Sequence, residues 1–115
     1  MADEVQILAN KTRVYESANL PVTAYFRTRS TAAADTPADV SYRVHCITTN
    51  QEVLGWTSVS PASSVAITLS GASTDIQEDH NEYEIKELHV RGDAGASDES
   101  RGRFQYRVIN LRGTE

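Results

Sequence analysis

The sequence predicts an all-β protein: a single two-layer antiparallel sandwich of about seven strands spanning 1–115, of immunoglobulin or fibronectin type III kind. Three observations predict it. Larger apolar side chains recur at period two in several short stretches, most regularly where Val65, Ile67 and Leu69 alternate with Ala66, Thr68 and Ser70. Turn-forming residues punctuate these stretches at the spacing of roughly 8 to 12 residues that sandwiches show. No segment of helical period is long enough to cover a sheet, and Leu, Phe and Met are scarce beside abundant Ala, Ser and Thr.

Glu4 to Asn10, with Val5, Ile7 and Leu8, is either a first edge strand or an arm lying on the domain or on a neighbour. Val14 and Tyr15 continue it after a break containing Lys11. Pro21 heads the next strand, where it costs no ladder hydrogen bond, and Val22, Ala24 and Phe26 share one face. Residues 28–39 lack sustained periodicity and form an exposed loop, long enough to be a contact element, with a helical turn at its alanines as an option. The organising stretch is Val40 to Val59: Val40, Tyr42, Val44 and Cys46 alternate with Ser41, Arg43 and His45, residues 48–51 turn, and the chain returns through Val53, Leu54 and the only tryptophan, Trp56. That ring is expected in the core.

After the Val65–Leu69 strand, Thr74 and Gln77 have capping-box spacing for a short helical turn that Ile76 would anchor. Tyr83 to Val90 reads as a strand whose apolar phase changes: Tyr83 and Ile85 share one parity, Leu88 and Val90 the other. Either a bulge lies near Lys86 and Glu87, or both faces are partly covered. A Gly-, Asp- and Ser-rich loop over 91–101 precedes the last strand, in which Phe104, Tyr106 and Val108 alternate with Gln105, Arg107 and Ile109. The expected core is therefore Phe26, Tyr42, Val44, Cys46, Trp56, Val65, Ile67, Leu69, Leu88, Val90, Phe104, Tyr106 and Val108.

The chain has 115 residues, enough to bury a core without covalent staples. Sixteen acidic against eleven basic residues leave a formal charge of −5, which argues against a nucleic-acid binder relying on a broad basic surface and mildly against an anionic membrane partner. Cys46 is the single cysteine, so folding needs no disulfide and no oxidising compartment. The acidic start carries no Sec-type signal pattern, and no apolar run approaches membrane-spanning length. Folding in the cytoplasm is the expectation.

Chemistry-bearing patterns are sparse. His45, His80 and His89 have no zinc-site spacing, and the strand histidines lie at outward parity. Asp75, Glu78, Asp79 and Glu82 cluster without calcium-loop spacing and read as a solvated acidic loop. No serine lies in a nucleophile elbow and no glycine pattern cradles phosphate, so neither catalysis nor a cofactor or metal is expected. Arg91-Gly92-Asp93 matches an integrin-binding tripeptide, yet Gly-Asp is ordinary turn chemistry. Tyr15, Tyr25 and Tyr83 are the only aromatics that could serve as carbohydrate-stacking platforms, and core packing is the favoured account of each.

The phrases Tyr42-Arg-Val44, Leu54-Gly-Trp56-Thr-Ser-Val59, Ser64-Val-Ala-Ile-Thr-Leu69, Glu84-Ile-Lys-Glu-Leu-His-Val90 and Tyr106-Arg-Val-Ile-Asn-Leu111 resemble small tailed-bacteriophage structural proteins with immunoglobulin- or fibronectin-like sandwiches, over roughly residues 21–112. The resemblance implies a non-enzymatic virion protein. It implies an accessory that decorates or cements the capsid shell, with a neck or tail position or a carbohydrate- or host-surface-binding module as alternatives. Its partners would be the major capsid protein or neck and tail proteins, met in many symmetric copies, with no nucleic acid and no membrane. Assembly contacts are expected at edge strands and at arms over 1–10 and 111–115, through Val5, Ile7, Leu8 and Leu111.

Overall fold

The computed structural model describes residues 4–78, 80–95 and 99–111. Eight strands are present among them: β1 Glu4–Ala9, β2 Arg13–Tyr15, β3 Leu20–Arg27, β4 Val40–Cys46, β5 Gln51–Val59, β6 Ser64–Leu69, β7 Tyr83–Gly92 and β8 Ser100–Ile109. The chain is all-β and makes two sheets, one ordered β1-β3-β6 and the other β2-β8-β7-β4-β5. The pairings are antiparallel except the short one between β2 and β8. The break at residues 10–12 is where the chain leaves one sheet for the other: Leu8 pairs with Thr23 on β3, whereas Val14 pairs with Val108 on β8.

One apolar cluster lies between the sheets, which gives the fold its β-sandwich character. Leu20, Val22, Ala24 and Phe26 of β3 and Val65, Ile67 and Leu69 of β6 meet Val40 and Val44 of β4, Leu88 and Val90 of β7, and Tyr106 and Val108 of β8. Cys46 is buried as well. Tyr42 and Phe104 are only partly buried and pack at the cluster's margin. Two glycines mark close approaches. A Cβ at Gly102 would come within 2.8 Å of the Val5 side chain, and one at Gly92 within 2.9 Å of Phe26 and 3.0 Å of Pro37.

Trp56 is not in that core. The pairing of β4 with β5 slips between Tyr42↔Thr57 and Val44↔Leu54, so Gly55 and Trp56 together face Arg43. Leu54 and Thr57 keep the inward side, and the indole is turned onto the outer face. Simple alternation along 52–56 misplaces the ring because it assumes an unbroken ladder.

The phase change in β7 has a different cause. Its pairings with β4 and β8 run without a slip from Lys86 to Gly92, so no bulge lies at Lys86 and Glu87. The inward positions are the even ones throughout, and two of them are charged: Glu84 and Lys86 are both 0 % exposed. Their Oε1 and Nζ lie 3.8 Å apart. Glu84 accepts backbone N–H bonds from Gln77 at 2.8 Å and Glu78 at 2.9 Å, an amide bond from Asn81 at 3.1 Å and the Cys46 thiol at 3.8 Å. Lys86 donates to the carbonyls of Ala72, at 3.1 Å, and Asp75. Burial pushes the Glu84 carboxyl up, but its three N–H donors and the Lys86 charge outweigh that and hold it below the usual carboxylate range. Burial likewise lowers the Lys86 ammonium.

This pair stitches the 71–81 segment to the sheet. A 3-10 turn occupies Gly71–Thr74, ending at the residue expected to start a helical turn, because Thr74 is buried and its hydroxyl donates back to the Gly71 carbonyl. The Tyr106 hydroxyl donates to the Ser73 carbonyl at 2.6 Å. In the 28–39 loop the turn closes on Thr28, whose carbonyl accepts from Thr31 and Ala32.

Removing Glu84 strands a buried ammonium and several backbone donors. Glu84→Ala is expected to cost about 3–5 kcal/mol by urea titration, with part of the loss recovered in the Glu84→Leu, Lys86→Met double variant. The depressed carboxyl also sets an acid dependence. Its contribution is whole above the unfolded value near 4.5 and is lost as pH falls through the lower folded value, so Tm should drop below pH 4.5, less steeply in Glu84→Gln.

Candidate interaction face

Because β7 and β8 send their even residues inward, their odd residues line the outer face of the five-stranded sheet. Register places them in rows. At one end, Tyr15, Ile109 and Tyr83 lie side by side across β2, β8 and β7. The next row is Arg13, Arg107 and Ile85, and the Arg107 guanidinium sits 4.5 Å from the Tyr83 ring centroid. Tyr15 is 52 % and Tyr83 44 % exposed, so neither is core. A depression of about 430 Å³ opens here, bounded by Thr12, Arg13, Ile85, Gln105 and Arg107.

At the other end, Arg103, His89 and Arg43 form a row that ends against Trp56, and Arg101, Arg91 and Ser41 form the next. Arg91 lies 3.8 Å and Arg43 5.0 Å from the indole centroid. Arg91 Nε donates to Ser41 Oγ at 2.9 Å, and Arg43 Nε donates to His89 Nδ1 at 3.0 Å. His89 Nε2 meets Glu87 Oε1, and Gln105 donates to Glu87 Oε2 at 3.0 Å. Burial raises the Glu87 carboxyl, yet the bonds from His89 and Gln105 and the Arg103 charge leave it below the usual range. Arg43, Trp56, His89, Arg101 and Arg103 line a cleft of about 320 Å³. Six of the nine arginines thus share one face of an acidic protein.

The sequence-expected contacts fall elsewhere. Val5 and Ile7 are partly buried against the chain's own core. Residues 4–9 are an integral strand, because every one of them pairs with β3. Leu8 points outward, 50 % exposed beside Tyr25, and Leu111 is exposed at the end of β8. The parts of the arms at 1–3 and 112–115 lie outside the described residues, as do Asp79 and positions 96–98. Arg91-Gly92-Asp93 is not an exposed tripeptide. Arg91 is held by Ser41 and Trp56, Gly92 is buried, and buried Asp93 adopts a positive φ and accepts the Ala38 N–H at 2.6 Å. His45, His80 and His89 do not converge, and among the described residues no three His, Cys, Asp or Glu side chains form a metal-holding group. No described helix is long and apolar enough to cross a membrane.

No protein-family model matches the chain, and no curated protein does. Solved structures do. A superoxide reductase (neelaredoxin) from Ignicoccus hospitalis aligns over 90 % of this chain and 78 % of its own, with TM-score 0.53 and 11 % identity. A conjugative transposon lipoprotein from Bacteroides eggerthii aligns over 90 % and 94 %, with TM-score 0.52 and 7 % identity. At such identities the likeness is one of fold alone.

Trp56→Ala is expected to cost about 1 kcal/mol, the scale of an exposed cation–π contact, against about 3–5 kcal/mol for Phe26→Ala in the core. The flanking guanidiniums should make iodide a markedly better quencher of Trp56 fluorescence than caesium, a gap that narrows in Arg43→Gln and Arg91→Gln.

Proposed function

We propose that this chain is a non-enzymatic structural protein of a bacteriophage particle, an immunoglobulin-like accessory on the capsid shell. On this reading it binds its neighbours through the outer face of the five-stranded sheet. One observation carries the reading. Tyr15, Tyr83, Trp56 and six arginines, the residue types that dominate protein interfaces, are gathered on one face by strand register. The buried ionisable groups Glu84 and Lys86 have no exposed surface and act as internal struts, which suits a scaffold whose exterior is the working part. The edge strands β2 and β5 flank the same face and offer backbone groups to a partner. Repetition on a symmetric shell adds the contacts of many copies. The resemblance of the strand phrases to phage structural proteins supplies the particle.

Tyr15 and Tyr83, exposed in one row beside a depression, favour a second reading, a module that stacks on carbohydrate of a host surface. A glycan array separates the two, since saturable binding lost in Tyr83→Ala belongs only to the second.

Mass spectrometry of purified particles should find this chain in fixed stoichiometry with the shell protein. Tyr83→Ala combined with Arg103→Glu should fold and lose incorporation, while Tyr25→Ala on the opposite sheet should be incorporated fully. Particles without the chain would refute the proposal.

A further inference from the structure

We propose that the cleft between Trp56 and Arg103 is a docking site for an acidic segment of a partner protein, whose Asp or Glu carboxylates sit among Arg43, Arg91, Arg101 and Arg103. The inference rests on the reading of this chain as a binding protein and names the chemistry of the partner at one end of its face.

The first ground is an electrostatic arrangement that the isolated chain leaves unbalanced. Arg91 and Arg101 are directly opposite one another across β7 and β8. Like charges so placed on a sheet repel. Arg103 stands opposite His89 in the adjoining row. Of these four arginines, only Arg101 has an ion-pair partner among the described residues, Glu99 at 2.9 Å. Arg43 spends its Nε on a histidine nitrogen and Arg91 on a hydroxyl, so neither guanidinium charge is met by a carboxylate. The neighbouring row carries two acidic side chains: Glu87 is occupied by His89 and Gln105, and Glu52, across His45 from it, is in no ion pair with these arginines.

The second ground is shape and preorganisation. The guanidiniums do not wave from an open surface, for two are stacked on the indole and anchored through Nε. Such anchoring leaves their terminal N–H groups for a ligand, and a planar guanidinium fork matches a carboxylate bidentately. The cleft of about 320 Å³ admits a few side chains. Its position next to β5, the last strand of the sheet, lets an extended segment run alongside.

The third ground selects the occupant. With a net charge of −5, the molecule repels a long polyanion at distance, while a short acidic segment feels chiefly the local arginines once within a Debye length. A protein segment with few carboxylates therefore fits this site better than a nucleic acid does.

Trp56 is the only tryptophan and reports directly on the cleft. Titrating the full chain with an oligo-glutamate peptide should give a saturable change in Trp56 fluorescence that weakens as sodium chloride is raised. Arg103→Gln, which leaves both cation–π contacts in place, should weaken binding several-fold, and Arg43→Gln with Arg103→Gln should abolish it. Circular dichroism on the same samples should show both variants folded. Oligo-lysine and inorganic phosphate should give no saturable change. Absence of saturation with oligo-glutamate, equal binding by the folded double variant, or tighter binding of a single-stranded oligonucleotide would each overturn the proposal. A chain found in particles but blind to the peptide would refute this site alone, whereas a chain that binds the peptide but is missing from particles would refute only the virion role.

Discussion

Glu84 and Lys86 hold the structure's most demanding position: two charges on the core side of the strand that lies between β4 and β8. Neither could be buried alone, because the desolvation of an isolated ion far exceeds what one apolar neighbour returns. The chain solves this by folding residues 71–81 over the pair and aiming backbone N–H groups at the carboxylate and carbonyls at the ammonium. The 3-10 turn, the inward tyrosine hydroxyl of β8 and the end of β4 at Cys46 are all held to this cluster. A loop that would otherwise be a mere connector is thereby part of the core.

The same pair settles which side of β7 faces out. A slip of one residue would move Glu84 and Lys86 to solvent and drive His89 and Arg91 inward, and it would break every bond to the 71–81 segment. Charge inside thus fixes parity, and parity fixes the rows outside. Arg91, Arg101 and Arg103 stand together because Val90, Gly102 and Phe104 must face β1 and β3. Gly102 adds a condition of its own, since the close passage of Val5 allows no side chain there. The arginine-rich outer face is in this sense the reverse side of the packing problem.

Much of this was legible in the residues. The alternations at 22–26, 40–46, 65–69 and 104–108 mark strands whose inward residues the structure buries, Tyr42 and Phe104 only in part, because there the apolar pattern and the pleat agree. Two features escaped. Trp56 is expected in the core as the one large aromatic of its hairpin, and the slip at Gly55 turns it out, a feature no periodicity reveals since bulges add a residue without changing composition. Glu84 and Lys86 are not among the expected core residues, since charges are rarely buried, and the apolar residues alone therefore show a change of phase in β7. The signal that could have found them is the even parity that Glu84 and Lys86 share with Leu88 and Val90. The clustering of arginines was also readable, as Arg101, Arg103 and Arg107 share one parity with Gln105, but the net charge of −5 concealed it.

That concealment is itself informative about how such a surface works. Net charge governs what a molecule meets at long range, and here it discourages its own association with other acidic chains. Local charge governs what holds once contact is made, because at about 8 Å the salt of a physiological solution has screened the rest. A chain that carries sixteen acidic residues yet places six arginines on one sheet face separates these two regimes in space. The consequence is selectivity by proximity. A segment already close to the face feels chiefly the arginines, whereas a long polyanion is opposed at distance by the net charge.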